Sequence, residues 1–340
     1  MTSINKGLTM KIFALFVVLS FQLFSMQAIA LIHGEVTPSL EVSTVKLQIN
    51  HRHWLRSVNS WDEYTSRCSG VIVGKNPLTI LTAAHCLREA KVDHETLLPS
   101  LTIVNQRELG IEYARLIKAF YKQFDEVEKN LALDVAVLVF DAELTDKVTF
   151  IPIQKSKVSK QALLCGYGSG YKEVELQNPR CSKKTVLTDI KDFYSIMPQE
   201  YEKADEMLYL KARAQFEYKK DIVKSLDTLM AVNRLNSAGN YSSDEPIPTS
   251  GDSGGPWIVE SEKGELRLVA ITSLVERFYH KTRYWPFFNI PEPLEDFPYV
   301  AYGIKLGHRE VMDFLNDAIK QGADIQFSDK GFNFFGLGNQ

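Results

Sequence analysis

Three short stretches hold residues that could make a hydroxyl group nucleophilic. They are LTAAHC at 81–86, DVAVLVF at 134–140 and GDSGGP at 251–256, and they supply His85, Asp134 and Ser253. A serine hydroxyl is too weak an acid to attack an acyl carbon unaided, so it needs a base within hydrogen-bond reach and an acceptor that orients that base. His85 is the predicted base, Asp134 the predicted orienting acid and Ser253 the predicted nucleophile. The sequence therefore predicts acyl transfer through a covalent intermediate.

The glycines around Ser253 predict a second part of such a site. A tetrahedral oxyanion needs two backbone N–H groups aimed at one point, and Gly251 has no side chain to obstruct that turn. The N–H groups of Gly251 and Ser253 are therefore the predicted oxyanion hole. GDSGG also fits the G-x-S-x-G elbow of α/β-hydrolases, but that fold orders its triad as serine, acid and histidine. Because His85 precedes Ser253 here, an α/β-hydrolase esterase is a disfavoured alternative.

The first thirty residues have the layout of a secretory signal. Two lysines precede an almost wholly apolar run at 12–24, and Ala28 and Ala30 form an A-x-A cleavage pattern. The apolar run is shorter than the roughly 20 residues of a membrane-spanning helix, so no membrane anchor is expected. The sequence predicts a signal peptide at 1–30 and a protein secreted to the periplasm or to the extracellular space.

Composition limits the other function classes. A net charge of −3 with 24% charged residues gives no basic surface, so nucleic-acid binding is not expected. His51 and His53 alternate on a predicted strand but lack further ligands, so neither a metal nor another cofactor is expected. An even number of cysteines in an exported chain indicates disulfides, with three possible connectivities. These cysteines are Cys68, Cys86, Cys165 and Cys181.

The elements that must position these residues are predicted to be mostly strands. Runs with strand-like composition lie at 42–49, 70–73, 79–83, 101–104, 134–140, 162–165, 256–259 and 266–273. Few helical intervals separate them, which favours an all-β sandwich or barrel over an alternating α/β sheet. Residues 208–216 alternate like a strand, and residues 222–230 follow a helical period. An amphipathic helix is predicted at 308–320, followed by a tail at 321–340.

In combination and in order, these three motifs resemble those of the trypsin-like serine proteases, which have the chymotrypsin fold. The resemblance runs from about residue 31 to the closing helix. It implies an all-β protease domain at 31–320 with two six-stranded antiparallel β-barrels, at about 31–157 and 158–307, and a C-terminal helix. It also implies a Cys68–Cys86 bridge that pins the histidine loop, which leaves Cys165 to pair with Cys181.

The same resemblance implies a secreted, monomeric serine endopeptidase that cleaves protein or peptide substrates without a cofactor. In this family a newly freed N-terminal residue inserts its amino group beside the acid that precedes the catalytic serine, and so orders the oxyanion hole. LIHG at 31–34 resembles the usual start of the active chain. Cleavage after Ala30 would therefore expose Leu31 as the activating terminus, with Asp252 as its partner. A protease-like binding module without turnover is the alternative from another function class.

The predicted specificity pocket departs from the family pattern at its floor. Counting six residues back from Ser253 places Ile247 there, which would favour an uncharged substrate side chain. The loop at 236–250 is longer than usual, and a shift of two or three residues would bring Glu245 or Asp244 to the floor and invert that preference.

The pocket wall and two long segments depart as well. ITSLVE at 271–276 matches the family strand that places Ser273 beside the catalytic acid, while Val275 replaces a glycine and would narrow the pocket for small substrate side chains. The segment 276–299 forms a long aromatic loop. An insertion lies within 168–250 and could shape the cleft or an exosite.

Overall fold

The structure is a computed structural model that describes residues 35–36, 43–55, 60–123, 126–127, 130–155, 160–168, 178–187, 229–232, 245–276, 279–285, 288–293 and 300–328. The predicted signal peptide and the strand predicted at 208–216 lie outside these residues. Of the helical period predicted at 222–230, only the last two residues are described. They belong to a strand, so the helical prediction is wrong there.

Within those ranges the chain forms mostly strands. They are β1 (Glu35–Val36), β2 (Thr44–Leu55), β3 (Ser60–Lys75), β4 (Leu78–Thr82), β5 (Leu101–Ile103), β6 (Ile111–Phe120), β7 (Ala136–Leu144), β8 (Gln161–Gly166), β9 (Arg180–Thr185), β10 (Leu229–Val232), β11 (Pro256–Glu260), β12 (Leu266–Glu276), β13 (Tyr279–Trp285), β14 (Phe288–Pro293) and β15 (Val300–Lys305). Helix α1 (Gln106–Leu109) is a single turn, and α2 (Arg309–Lys320) closes the domain. Two short 3-10 helices lie at Ala84–Leu87 and Leu131–Leu133.

The first sheet has six strands in the order β5-β2-β3-β4-β7-β6. Strand β4 is buried along its whole length, and the apolar first half of β7 is buried as well, because both of their faces are covered. On β7, Leu138 and Phe140 face a core inside this sheet, while Val137 and Val139 face a core shared with the second sheet and α2. The continuous apolar run in DVAVLVF thus corresponds to a strand that is buried on both faces.

The second sheet has seven described strands in the order β1-β9-β8-β11-β12-β15-β10, one more than predicted. The extra strand is β1, whose two residues pair antiparallel with Arg180 and Cys181 at the edge of the sheet. The N-terminal stretch therefore joins the second sheet, although the predicted boundary would place it in the first barrel.

The fold class is confirmed: the protein is an all-β, chymotrypsin-like domain with two antiparallel sheets and a C-terminal helix. All named strand pairs among the described residues are antiparallel, which contradicts the alternating, mostly parallel arrangement of an α/β-hydrolase. None of the described helices is long and apolar enough to cross a membrane.

Two regions in the last quarter of the chain contain more regular structure than predicted. Residues 279–293 of the predicted aromatic loop contain an antiparallel hairpin, β13 and β14. The first part of the predicted tail crosses back to the first sheet, where the Gln326 N–H donates to the Val73 carbonyl at 3.1 Å. Asp324 accepts hydrogen bonds from the N–H groups of Lys75 and Asn76 at 2.8 and 2.9 Å, so this segment is anchored to the β3–β4 turn.

Candidate active site

His85 lies in the 3-10 helix that directly follows β4. The disulfide between Cys86 and Cys68 ties this short helix to β3, and the pairing of Cys165 with Cys181 is also as predicted. The neighbours Ala84, Cys86 and Leu87 are buried in the core of the first sheet. The side chain of His85 is 31% exposed, so buried neighbours hold the backbone of this residue while its imidazole is partly accessible to solvent.

Asp134 follows the second 3-10 helix and is almost wholly buried. Its Oδ1 accepts the backbone N–H of His85 at 2.8 Å, and its Oδ2 lies 2.9 Å from His85 Nδ1. The hydroxyl of Ser273, on β12, also donates to Oδ2, so the predicted place of Ser273 beside this acid agrees with the structure. Because a carboxylate only accepts, Nδ1 carries the proton and Nε2 is left as the acceptor.

Ser253 completes a continuous chain of hydrogen-bonding atoms. Its Oγ lies 2.9 Å from His85 Nε2, on the far side of the imidazole from Asp134. His85 and Asp134 come from the first sheet, whereas Ser253 precedes β11 of the second sheet. The three residues therefore meet where the two sheets face each other.

The electrostatics of His85 favour the charged imidazole. Burial by itself would lower the pKa of His85, but the negative charge of Asp134 and the hydrogen bond to it outweigh that effect, so the pKa is raised above the ordinary 6.5. The raised pKa strengthens His85 as the base that accepts the proton of a serine hydroxyl and returns it to a leaving group.

The loop before Ser253 is a tight turn. The Asp252 N–H donates to the Thr249 carbonyl at 3.1 Å, and Gly251, the third residue of that turn, has φ +94°. A positive φ at this position is typical of a type II turn and favours glycine. The Gly254 N–H then donates to the Thr272 carbonyl at 2.7 Å, which joins the loop to β12.

Asp252 is 1% exposed, and its carboxylate holds the loop from inside. Oδ1 accepts the N–H of Gly168 at 2.7 Å, and Oδ2 accepts the N–H and the hydroxyl of Thr249 at 2.8 and 3.3 Å. The space beside Gly168 is filled by this carboxylate, since a Cβ there would lie 2.4 Å from Oδ2. Leu31, the predicted partner of Asp252, lies outside the described residues.

The residues predicted for the pocket floor lie in two environments. Ile247 is 1% exposed and belongs to an apolar cluster of the second sheet that includes Trp257. Glu245 is paired with the fully buried Lys184, whose Nζ lies 3.1 Å from Glu245 Oε2. The structure thus holds Ile247 in the core and gives Glu245 a cationic partner. Asp244 and the side chain of Val275 are not among the parts of the chain that the structure describes.

No metal site accompanies this cluster in the described part of the chain, where no three His, Cys, Asp or Glu residues are placed to hold an ion. His51 is buried, stacks on Tyr64, and contacts the Ser66 hydroxyl through Nε2 at 2.6 Å. His53 lies at the surface, 3.0 Å from a carboxylate oxygen of Glu89.

Ser69, on β3, is a contact of the nucleophile loop that the sequence analysis missed. Its N–H donates to the Ser253 carbonyl and its hydroxyl donates to the Gly251 carbonyl, both at 2.8 Å. The same hydroxyl accepts the N–H of Tyr167 at 2.8 Å. The only sequence signal was its position directly after Cys68, because these three partners lie about a hundred residues or more further along the chain.

Comparison with known proteins places the chain beside serine proteases. A family model described as Trypsin matches residues 41–218, more than half of the chain. A search of the curated proteins found no match. Among solved structures, neuropsin, a serine protease expressed in the limbic system of mouse brain, is 15% identical with a TM-score of 0.47, over 84% of this chain and 98% of its own. The scabies mite inactivated protease paralogue S-D1 is 18% identical with a TM-score of 0.47, over 87% and 100%.

Proposed function

The chain belongs to the trypsin family, and from that premise we propose that it is a secreted serine endopeptidase with His85, Asp134 and Ser253 as its catalytic triad. The observation that carries the proposal is the unbroken hydrogen-bond chain, with 2.9 Å from Asp134 Oδ2 to His85 Nδ1 and 2.9 Å from His85 Nε2 to Ser253 Oγ. This is the geometry that transfers a hydroxyl proton to a base as the oxygen attacks.

In the proposed reaction, Ser253 Oγ bonds to the carbonyl carbon of the scissile peptide while its proton passes to His85 Nε2. The carbonyl oxygen takes up the electron pair, and the N–H groups of Gly251 and Ser253 stabilise it. When the C–N bond breaks, the amine leaves with the proton from Nε2 and the acyl group stays on Ser253. Water then attacks the acyl carbon and loses a proton to His85 Nε2. The bond to Ser253 Oγ breaks, Nε2 returns the proton to Oγ, and the acid is released. Asp134 remains ionised and stabilises the imidazolium throughout.

We further propose that one cleavage both completes export and activates the enzyme, by exposing Leu31 to pair with Asp252. The connectivity supports this. Glu35 pairs with Cys181, Cys181 is bonded to Cys165, and three residues later Gly168 donates to Asp252. The N-terminal stretch therefore joins the sheet at a strand covalently linked to the segment that contacts this acid.

Labelling of the exported protein with a fluorophosphonate, together with sequencing of its N-terminus, tests both proposals. A label on Ser253 that is absent from Ser253→Ala, on a chain that starts at Leu31, is the expected result. A labelled chain with a later N-terminus would contradict activation by signal cleavage. A chain that starts at Leu31 and takes no label would contradict catalysis and leave the protease-like binding module as the function.

The activation step has a separate control. A variant that carries one extra residue before Leu31 should lose activity, because its terminal amine would be displaced from Asp252 while the triad is unchanged. Full activity in that variant would contradict the role of Leu31 and would leave the triad proposal intact.

A further inference from the structure

One buried serine connects the first sheet to the loop that carries the proposed nucleophile. Ser69 is fully buried, and each of its polar groups has a partner. Its hydroxyl donates to the Gly251 carbonyl and accepts the Tyr167 N–H, both at 2.8 Å. Its N–H donates to the Ser253 carbonyl at 2.8 Å, and its carbonyl accepts the Thr82 hydroxyl at 2.7 Å.

The two carbonyls that Ser69 contacts lie on either side of Asp252. The backbone between them carries the Ser253 N–H, and the Gly251 N–H directly precedes the first of the two carbonyls. Gly251 has φ +94° and no Cβ, so its backbone dihedral angles are the least restricted of this loop. A hydrogen bond to its carbonyl fixes the plane of the Gly251–Asp252 peptide and restrains the loop at that point.

We propose that Ser69 is a positioning residue for the oxyanion hole. Its hydroxyl holds the Gly251 carbonyl so that the neighbouring N–H groups stay aimed at the developing oxyanion. The inference rests on the proposed serine protease function. Ser69 acts through Gly251 and touches no reacting atom. The N–H groups of an oxyanion hole accelerate a reaction because they are already oriented when negative charge develops on the substrate oxygen. If they lose that orientation, the activation barrier of acylation rises.

Thr79 provides a matched control in the same sheet. It is also fully buried, its hydroxyl donates to the Pro77 carbonyl at 3.0 Å, and it accepts the Asp324 N–H at 3.0 Å. Ser69→Ala and Thr79→Val therefore each remove one buried hydroxyl with one donated and one accepted bond. Only the first of these hydroxyls contacts the nucleophile loop.

The experiment measures pre-steady-state acylation by p-nitrophenyl acetate in the full secreted chain. Ser69→Ala should acylate roughly 10- to 100-fold more slowly, up to the effect of losing one oxyanion donor. The half-saturating ester concentration and the pH midpoint of acylation, which reports His85, should stay at their wild-type values. Inhibition by a boronic acid that mimics the tetrahedral state should weaken by the same factor. Thr79→Val should acylate at the wild-type rate.

Ser69→Gly gives a rescue test and a second variant if Ser69→Ala does not fold. Removal of the whole side chain leaves a polar space between the Tyr167 N–H and the Gly251 carbonyl, where one water could bridge the two groups. This variant should therefore acylate faster than Ser69→Ala. If both variants acylate at the wild-type rate, or if Thr79→Val slows as much as Ser69→Ala, the inference is overturned.

Amide hydrogen exchange keeps the inference testable if the wild-type protein gives no acylation at all, which would contradict the proposed function alone. Peptides that cover residues 249–253 should exchange faster in Ser69→Ala than in the wild type, and Thr79→Val should leave them unchanged. Unchanged exchange at 249–253 in Ser69→Ala would overturn the positioning role whether or not the protein turns over.

Discussion

Two aspartates of this protein accept almost the same hydrogen bonds in opposite surroundings. Asp93 accepts the N–H groups of Glu95 and Thr96 and the Thr96 hydroxyl, at 2.8 to 3.1 Å. Asp252 likewise accepts two backbone N–H groups and one threonine hydroxyl, at 2.7 to 3.3 Å. Asp93 lies in an exposed turn and its partners are local, whereas Asp252 is 1% exposed and one partner is 84 residues away.

The difference shows that burial of the carboxylate, and the sequence separation between it and its partners, decide how much it contributes to stability. Water replaces the acceptor if Asp93 is removed, so the turn loses little. No water has ready access to the donors around Asp252, so its removal would leave buried N–H groups without an acceptor. Two further aspartates extend this comparison, since Asp134 is buried at the site and Asp324 is half-buried beneath the C-terminal segment.

The largest effect is expected for Asp134→Asn. The amide can still accept the His85 N–H through Oδ1, so the fold should survive. Its NH2 group would face Nδ1 and favour the wrong tautomer, in which Nε2 cannot accept the Ser253 proton. We expect kcat to fall by about 10⁴, as this change does in the triad enzyme where it has been made. Acylation kinetics measure the loss, and a variant within tenfold of the wild type would show that Asp134 does not orient His85.

Asp252→Ala should come next. It removes the acceptor of the buried N–H groups of Gly168 and Thr249 and also the proposed partner of the Leu31 amine, so we expect a loss of at least roughly 10²-fold in acylation and about 2 kcal/mol in unfolding free energy. Asp252→Asn keeps one acceptor oxygen and should lose less unfolding free energy, but it removes the charge that pairs with Leu31 and should still acylate slowly. Acylation and urea unfolding measure the two effects. Wild-type acylation in Asp252→Ala would mean that the loop keeps its shape without this carboxylate.

Asp324→Ala should affect stability and leave catalysis almost unchanged. Its carboxylate accepts two N–H groups of the β3–β4 turn, some distance along the sheet from the triad. We expect a loss of about 1–2 kcal/mol in the unfolding free energy. Asp313→Ala is the control, because Asp313 is exposed on α2 and lies 3.9 Å from Arg309. Equal unfolding midpoints for the two variants would show that the C-terminal segment is not held by Asp324.

Asp93→Ala should have the smallest effect. The bonds from Thr96 lower the pKa of Asp93 below its ordinary 3.8, so its ionised form stabilises the turn. Since the folded pKa is the lower one, this contribution is present above pH 3.8 and is lost as the pH falls through the folded value. The unfolding midpoint of the variant should lie slightly below that of the wild type at pH 7, and the difference should shrink as the pH falls below 3.8. A loss as large as that of Asp252→Ala would remove the contrast between the two aspartates.

The triad motifs and the strands around them could be predicted from the sequence because their signals are local. DVAVLVF is continuous and apolar, and GDSGGP and LTAAHC each carry their residue in a recognisable context. Strand β9 was missed because its sequence, RCSKKT, looks like a surface segment. Its Lys184 is fully buried and pairs with Glu245, a contact 61 residues away that no local pattern indicates.

Strand β6 and the role of Ser69 escaped prediction for related reasons. β6 is the edge strand of the first sheet and exposes Tyr113 and Ile117, so its apolar residues do not mark the buried face. The contacts of Ser69 span 182 residues to Gly251, and a serine beside a cysteine carries no distinctive signal. Side chains that only hold distant backbone in place are thus the part of the site that required a structure.

The pH dependence of acylation tests the central claim most directly, because it reports one base paired with one buried acid. Acylation needs neutral His85, so its rate should rise with pH through a midpoint above 6.5, the ordinary value of a histidine pKa. In Asp134→Asn the remaining rate should have a lower midpoint, since the raising charge is gone. A wild-type midpoint at or below 6.5 that does not move in Asp134→Asn would contradict the pairing of Asp134 with His85 as the source of activity.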